Sequence, residues 1–274
     1  MKKVEHMVSV VTIFKRFFTE RFHDQSAQMA YYFMLAILPF LIFAFSLVSF
    51  LPFHVDDILA AIEPFVPEGS FRLIKVNLMS IIASQKTKIA SFSLIAAFWI
   101  ASMAVQSFVR AMNDAYEIVR KEGFFLALGK DFILTAGLMI TLTISLLVPI
   151  AEEIIRVYIS TTVELSPLFY QWWFNIKWIF GSIILFIFFV FLYKLVPSKK
   201  IEMRLTLPGA VFATIGWQGA SLGFSYYVSF ASYSKLYGQL GSIIVLMIWF
   251  YLTAAVLLTG AIINSEWIKK KRKI

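Results

Sequence analysis

The fold is decided by residues 225–249, SYYVSFASYSKLYGQLGSIIVLMIW, where a junction rich in Tyr, Ser and Gly joins two long apolar segments. Lys235 is the single charged residue in this stretch. Two apolar runs of this length, separated by a short polar junction, are typical of consecutive membrane-spanning helices. A plain hairpin needs only a few turn residues, so the additional aromatic and hydroxyl groups make Tyr233 and Tyr237 candidate functional residues.

The rest of the chain has the same character. Of its 274 residues, 60% are hydrophobic and 15% are charged, which is not the composition of a soluble domain. A bilayer core about 30 Å thick requires about 20 apolar residues in helical form. The long runs without charges therefore predict six transmembrane helices: Met29–Phe53, Ile89–Phe108, Phe132–Ala151, Phe174–Tyr193, Leu205–Val228 and Leu240–Ile263. Lys177 lies near one end of the fourth run, where its ammonium group can reach the headgroups.

The distribution of basic residues predicts the orientation. Placing both termini in the cytoplasm puts 18 of the 25 lysines and arginines on the cytoplasmic side and seven on the other. The sequence thus predicts an all-α polytopic membrane protein with a cytoplasmic interfacial helix at 1–28, a six-helix transmembrane domain at 29–267 and a basic cytoplasmic tail at 268–274. Its net charge of +9 predicts contact with anionic lipid at the cytoplasmic face rather than with nucleic acid.

Two segments outside the spans have amphipathic patterns. Residues 4–22 place Val and Phe at helical spacing between basic residues, which predicts either a helix on the cytoplasmic membrane surface or an ordinary packing helix. Residues 54–88 predict an external helical hairpin between the first and second spans.

The second span carries polar residues along one helix face. Gln106, Arg110 and Asn113 recur at three- and four-residue intervals and thus project from the same side. One interpretation is a polar lining open to the cytoplasm. The other is that these side chains hold neighbouring helices together, since an amide inside a membrane needs a hydrogen-bonding partner.

The fifth span has two opposed faces. Gly216, Gly219 and Gly223 gather on one side, and small residues at this spacing predict close packing on a neighbouring helix. Gln218 and Ser225 fall on the other side. That polar face needs either a second protein surface or water, which favours an internal cavity.

Short motifs are spread along most of the chain: Ala27 to Phe33, Trp99-x-x-Ser102 to Arg110-x-x-Asn113-x-x-Tyr116, Val196-Pro197, Pro208-Gly209-Ala210, Tyr233-Ser234-x-x-Tyr237-Gly238, Trp249-x-Tyr251, Gly260-Ala261 and Asn264. Together these blocks resemble the YihY/BrkB family of bacterial inner-membrane proteins, also labelled ribonuclease BN-like. The resemblance covers roughly residues 25–267 and departs at Ile262, where the family usually has an acidic residue. A cation- or proton-binding role for that carboxylate would be absent or displaced here, with Glu266 as the substitute.

The residues do not support the ribonuclease label. A nuclease needs clustered acids for metals, or a histidine with a partner acid or base, whereas His6, His23 and His54 are scattered and the chain has no cysteine. We therefore expect no enzyme, cofactor or metal site. The sequence favours a transporter or flippase for an envelope lipid or amphipathic solute, and family-level suggestions of lipid export agree. The alternative is a non-transporting scaffold or envelope-integrity factor. The residues predicted to line a substrate path are Gln106, Arg110, Asn113, Gln218, Ser225, Tyr233 and Tyr237.

Overall fold

The computed structural model describes residues 10–48, 88–162, 167–230 and 240–272, and every regular element in these ranges is an α-helix. The expected all-helical class is thus confirmed for these residues. The predicted external hairpin at 54–88 lies outside the described residues, apart from its last residue. In chain order the helices are α1 (Val10–Thr19), α2 (Phe22–Val48), α3 (Lys88–Ala115), α4 (Phe124–Thr162), α5 (Pro167–Leu195), α6 (Met203–Phe230) and α7 (Leu240–Arg272).

Each of the six predicted spans falls on one helix, from α2 to α7, although residues 49–53 of the first span lie outside the described part. The helices extend beyond the apolar runs, and α7 continues through the basic residues to Arg272. A helix loses no backbone hydrogen bonds when it passes from lipid into the headgroup layer, so a charged residue need not end it. Among the described residues, three stretches are long and apolar enough to cross a bilayer: Phe124–Ser145, Trp178–Leu195 and Ile243–Lys271.

Apolar side chains are more exposed than they are in a soluble protein. Large apolar side chains on α5, including Ile179, Phe180 and Ile183, are exposed, whereas Ser26 and Asn264 are completely buried. Soluble proteins rarely expose contiguous apolar surface on this scale. An apolar solvent removes the cost of exposing these side chains and leaves the polar groups to find partners inside the protein.

The chain divides into two compact units. The first is drawn from Met1–Met34, Ala104–Ala127 and Ile176–Ile274, and the second from Leu35–Met103 and Leu128–Asn175. In the second unit the rings of Phe98 and Trp99 each lie 5.7 Å from the ring of Phe132. The polar contacts of the candidate site all belong to the first unit.

Within the first unit, α6 and α7 pack along each other. Their closest approach is at Gly209 and Gly260: a Cβ on Gly209 would meet the carbonyl oxygen of Gly260, and a Cβ on Gly260 would come within 3.0 Å of the carbonyl oxygen of Gly209. Small residues thus allow the two backbones to touch, as expected for helices in a membrane. Further along α6, the predicted packing face makes a close contact at Gly216, whose Cβ would meet Val256 at 3.2 Å, whereas Gly219 is exposed.

Candidate functional site

A buried arginine joins the N-terminal helix to the ends of α3 and α7. Arg16 on α1 is 6% exposed, and its guanidinium donates to Glu20 at 2.8 and 2.9 Å and to Glu266 at 2.8 Å. It also lies 3.2 Å from the Glu117 carboxylate and donates to the carbonyl oxygen of Ala115 at 3.3 Å. One cation therefore connects three helices that are far apart in sequence.

A second cation, Lys269, joins the same cluster. Lys269, one turn from Glu266 on α7, contacts the carboxylates of both Glu117 and Glu266. Burial by itself lowers the pKa of Arg16, but the hydrogen bond to Glu20 and the nearby carboxylates outweigh it, so the pKa is raised and the charge is kept. Two cations thus face three carboxylates, and removing either cation would leave repelling anions.

The end of α3 has a backbone conformation that brings Glu117 into the cluster. Glu117 has a φ of 57°, its N–H donates to the carbonyl of Asp114, and the N–H of Ile118 donates to the carbonyl of Asn113. This is the hydrogen-bond pattern of a Schellman cap, whose left-handed position is usually occupied by glycine. A glutamate is strained there by about 1 kcal/mol. The ion pairs to Arg16 and Lys269 offset that strain.

A second polar group lies beside the first and is fully buried. The Asn264 side chain on α7 accepts a hydrogen bond from the backbone N–H of Gly209 at 2.7 Å and donates to the Tyr116 hydroxyl at 3.0 Å. Gly209 is necessary for this contact, since a Cβ there would lie 2.6 Å from Cγ of Asn264. The buried hydroxyl of Tyr193 on α5 donates to the carbonyl of Leu257 at 2.9 Å. Asn264 and Tyr193 thus fasten α7 to α6, to the end of α3 and to α5.

The predicted site residue Asn113 belongs to the same end of the first unit. Its amide donates to the Ser198 hydroxyl at 2.8 Å, and its carbonyl oxygen accepts from the backbone N–H of Ser198 at 2.8 Å. Asn113 is buried, and both halves of its amide are used. This two-way contact fixes the segment that follows α5.

The predicted site residue Gln218 lies elsewhere, between α5 and α6. Its amide donates to the Ser182 hydroxyl at 2.8 Å, and that hydroxyl donates to the carbonyl of Trp178 at 2.9 Å. A surface groove of about 350 Å³ runs beside this pair, with Ser182 and Thr214 as its hydroxyl-bearing residues. The groove is otherwise lined by Ile179, Ile183, Phe186, Val211 and Ile215.

The remaining predicted site residues have different environments. Gln106 is half-buried on α3, Arg110 is exposed one turn later, and Ser225 is exposed near the end of α6. Tyr233 and Tyr237 lie outside the described residues. The structure joins Asn113 and Gln218 to different partners, so a single path shared by all seven residues stays a prediction.

Sequence reasoning missed Arg16 and Tyr193. In the sequence, Arg16 is one of several basic residues on an amphipathic helix, and only its position opposite the apolar face of α1 could have singled it out. Tyr193 lies at the end of an apolar run, where an aromatic residue is ordinary. In contrast, Tyr116, Gly209 and Asn264 are among the residues that carry the resemblance, and the structure brings these separated blocks into contact.

Within the ranges that the structure describes, no group of three or more His, Asp or Glu side chains could hold a metal ion. The carboxylates that do come together, Glu20, Glu117 and Glu266, pair with Arg16 and Lys269.

Long apolar helices with exposed hydrophobic faces and internally bonded polar groups define the class, an α-helical membrane protein. The chain belongs to the family described as virulence factor BrkB, whose sequence model matches residues 13–273. It is 38% identical over 261 residues to the putative ribonuclease-like protein YfkH of Bacillus subtilis (strain 168), with 95% of each chain covered. It is 26% identical to a UPF0761 membrane protein of Aliivibrio fischeri (strain MJ11), with 96% of this chain and 86% of the relative covered. No solved structure matches this chain.

Proposed function

We propose that the chain crosses the bacterial inner membrane six times, with both termini in the cytoplasm. The six apolar runs that coincide with α2 to α7 support this topology, as does the excess of Lys and Arg on the side of the termini. Because the sequence has no cysteine, single cysteines introduced at Thr19 and at Lys235, in the junction between the fifth and sixth spans, would test it directly. A membrane-impermeant thiol reagent should label Lys235→Cys from the periplasm and Thr19→Cys only after the cells are opened. Labelling of both from the same side would refute the topology.

We further propose that the protein moves an amphipathic lipid or solute of the cell envelope across this membrane, as a transporter or flippase. The observation that carries the proposal is the groove between α5 and α6, whose apolar walls include the Ser182 hydroxyl, and this hydroxyl accepts a hydrogen bond from Gln218. Acyl chains can lie against the isoleucine and phenylalanine side chains. The amide and hydroxyl can exchange their mutual hydrogen bond for bonds to a polar headgroup at low cost, because the number of hydrogen bonds is conserved.

The scarcity of charged residues in the apolar runs bears on whether transport is coupled to an ion. The six apolar runs contain no Asp, Glu, Lys or Arg apart from Lys177, which lies near the end of the fourth. Ion-coupled carriers commonly place ionisable side chains at membrane depth. We accordingly propose movement of lipid along a polar groove without coupling to a buried carboxylate.

The test is lipid translocation in reconstituted vesicles. Fluorescent phospholipid in both leaflets is reduced from outside by dithionite, so loss of the protected fraction reports movement between leaflets. Loss of one groove hydrogen bond should slow translocation by roughly two- to tenfold in Gln218→Leu and Ser182→Ala. Ser182→Thr keeps the hydroxyl and should restore the rate. The matched control is Thr141→Val, since the Thr141 hydroxyl also bonds to a carbonyl four residues back but is exposed on α4.

Vesicles that contain the wild-type protein and behave like empty vesicles would refute transport of the lipids tested. Equal rates for Gln218→Leu, Ser182→Ala and wild type would refute the groove as the path. Folding of each variant is checked by its thermal midpoint in detergent, so a slow variant with an unchanged midpoint has lost function rather than structure.

The second candidate is a non-transporting scaffold or envelope-integrity factor. A specific observation favours it: the polar groups of Arg16, Asn113 and Asn264 bond to other protein groups, as expected of residues that only hold helices together. Under this alternative, every groove variant would complement a deletion strain as well as the wild type does. Asn264 variants would fail to complement it, and they would do so because the protein is less stable.

A further inference from the structure

The N-terminal helix α1 has its charged side inward and its apolar side outward. Val10, Val11, Phe14 and Phe18 are 70%, 74%, 63% and 55% exposed, whereas Arg16 is 6% exposed. A helix on a soluble protein buries its apolar stripe and leaves charges in water. Here the arrangement is reversed, and at about 100° per residue Arg16 lies on the opposite side of the helix from Phe14.

The reversal is held in place by the ion pairs already described. The guanidinium of Arg16 is bound between Glu20 on the turn after α1, Glu117 after α3 and Glu266 on α7. A rotation of α1 that turned its phenylalanines inward would withdraw this charge from Glu117 and Glu266, because only Glu20 would move with the helix. The ion pairs of Arg16 therefore hold the apolar face of α1 on the outside of the protein.

The position of α1 indicates what covers this face. α1 ends at Thr19 and α2 begins at Phe22, with Arg21 in a left-handed conformation (φ 62°) between them. A turn this short keeps α1 next to the N-terminal end of α2, the helix that carries the first predicted span. The exposed cation Lys15 lines the same surface as the apolar side chains, and the exposed Arg21 in the turn pairs with Asp24 at 2.7 Å.

Apolar side chains flanked by exposed cations at the end of a membrane helix match one partner, the interface of an anionic leaflet. We propose that α1 docks on the inner leaflet through Val10, Val11, Phe14 and Phe18, and that Arg16 is the positioning residue that sets its rotation. The inference rests on the proposed topology but not on lipid transport, so the two can fail separately.

The test uses four positions on α1 that differ in the side they occupy. Val10→Cys and Val11→Cys lie on the apolar face, Thr19→Cys lies at its edge, and Thr12→Cys lies away from it. Each full-length variant is labelled with an environment-sensitive fluorophore and reconstituted in vesicles of phosphatidylcholine and phosphatidylglycerol that carry a shallow nitroxide-lipid quencher. We expect lipid quenching at the two valines to exceed that at Thr12→Cys by about threefold or more, with Thr19→Cys in between.

Equal quenching at all four positions would overturn the proposal. Self-quenching between labelled copies, together with weak lipid quenching, would identify a second copy of the chain as the occupant and would equally overturn it. In vesicles of phosphatidylcholine alone the difference between the two faces should shrink, and an unchanged difference would refute the anionic part of the proposal. Phe14→Ser combined with Phe18→Ser should abolish quenching at Val11→Cys while leaving the thermal midpoint in detergent unchanged, since both rings are exposed.

Discussion

Replacement of Asn264 by leucine should weaken the first unit more than any loss of a single hydrogen bond at this end of α7. Asn264 is completely buried, so no water substitutes for its partners. Leucine has the same branching, so the substitution removes the polar interactions, and its larger methyl groups add some overpacking against Gly209 and Tyr116. It breaks the hydrogen bonds to the Gly209 backbone and to the Tyr116 hydroxyl.

The magnitude follows from these two hydrogen bonds. Each contributes about 0.5–1.5 kcal/mol net, and a buried partner left without a bond adds a further penalty of about 1–3 kcal/mol. Measured interhelical hydrogen bonds in membranes fall at the low end, at about 0.6 kcal/mol on average. We expect Asn264→Leu to lower the free energy of unfolding by about 2–4 kcal/mol. Tyr116→Phe, which removes one of the two bonds, should cost about 1 kcal/mol.

The assay is unfolding by SDS in mixed micelles, followed by tryptophan fluorescence, with a double-mutant cycle between Asn264 and Tyr116. Because the two side chains are in direct contact at 3.0 Å, the coupling energy should be about 1 kcal/mol. Thr259→Val is the matched control: it also removes a polar group from α7, but the hydroxyl bonds only to the carbonyl of Ala255 on the same helix. Its cost should stay below about 1 kcal/mol.

Two results would refute the reasoning. If Asn264→Leu and Thr259→Val cost the same, the buried amide does not join α7 to its neighbours. If Tyr116→Phe costs as much in the Asn264→Leu background as in the wild type, the two side chains are not energetically coupled.

Three further predictions concern the same unit. Gly260→Ala should lower the free energy of unfolding by about 1–3 kcal/mol, because the new Cβ would lie 2.9 Å from Cζ of Tyr193. Arg16→Gln should lower it by about 1–3 kcal/mol, less than for a fully buried pair because two of the three carboxylates are more than a third exposed. Burial raises the pKa of Tyr116, partly opposed by its hydrogen bond to Asn264. The stability linked to this phenol is therefore complete below the unfolded pKa of about 10 and is lost as the pH rises above it.

Each of these three predictions has a matched control. Gly219→Ala adds a methyl group on α6 where no atom lies within 4 Å, and it should be neutral or slightly stabilising. Lys15→Gln removes an exposed cation next to Arg16 and should be silent in detergent. Tyr116→Phe should show a shallower loss of stability between about pH 10 and 12 than the wild type. Equal losses for Gly260→Ala and Gly219→Ala, or for Arg16→Gln and Lys15→Gln, or parallel pH curves, would contradict the corresponding assignment.

The helices could be predicted from the sequence because the signal for them is local. A run of twenty residues without charges has few alternatives to a membrane helix, and each of the six runs falls on one helix. The ends of the helices were predicted less accurately than their positions. For example, α7 extends to Arg272, nine residues past the predicted end of the sixth span. The hydropathy of the sequence indicates where the chain leaves the lipid. The end of the helix is set instead by the last backbone hydrogen bond, which can lie beyond that point.

The polar contacts could not be predicted, because their partners are distant in sequence. Arg16 and Glu266 are 250 residues apart, and Tyr116 and Asn264 are 148 apart. The glycines of α6 illustrate the same limit. The Gly219-x-x-x-Gly223 spacing indicated where another backbone could approach, but both residues are exposed and the close approach is at Gly209. The spacing of glycines along a helix shows where a second helix could approach. Whether it does so depends on where that second helix lies in the fold.

The two kinds of polar group in the first unit require different interpretation when variants are tested. The bonds of Arg16, Asn113 and Asn264 are buried and join elements that are distant in sequence, so their loss lowers stability, and a loss of activity in such variants carries no information about a substrate path. The Gln218 amide bonds instead to Ser182, whose side chain lines an open groove. Their substitution can change what the groove binds without unfolding the protein. A selective effect of Gln218→Leu on translocation, at an unchanged thermal midpoint, is therefore the result that separates a transporter from a scaffold.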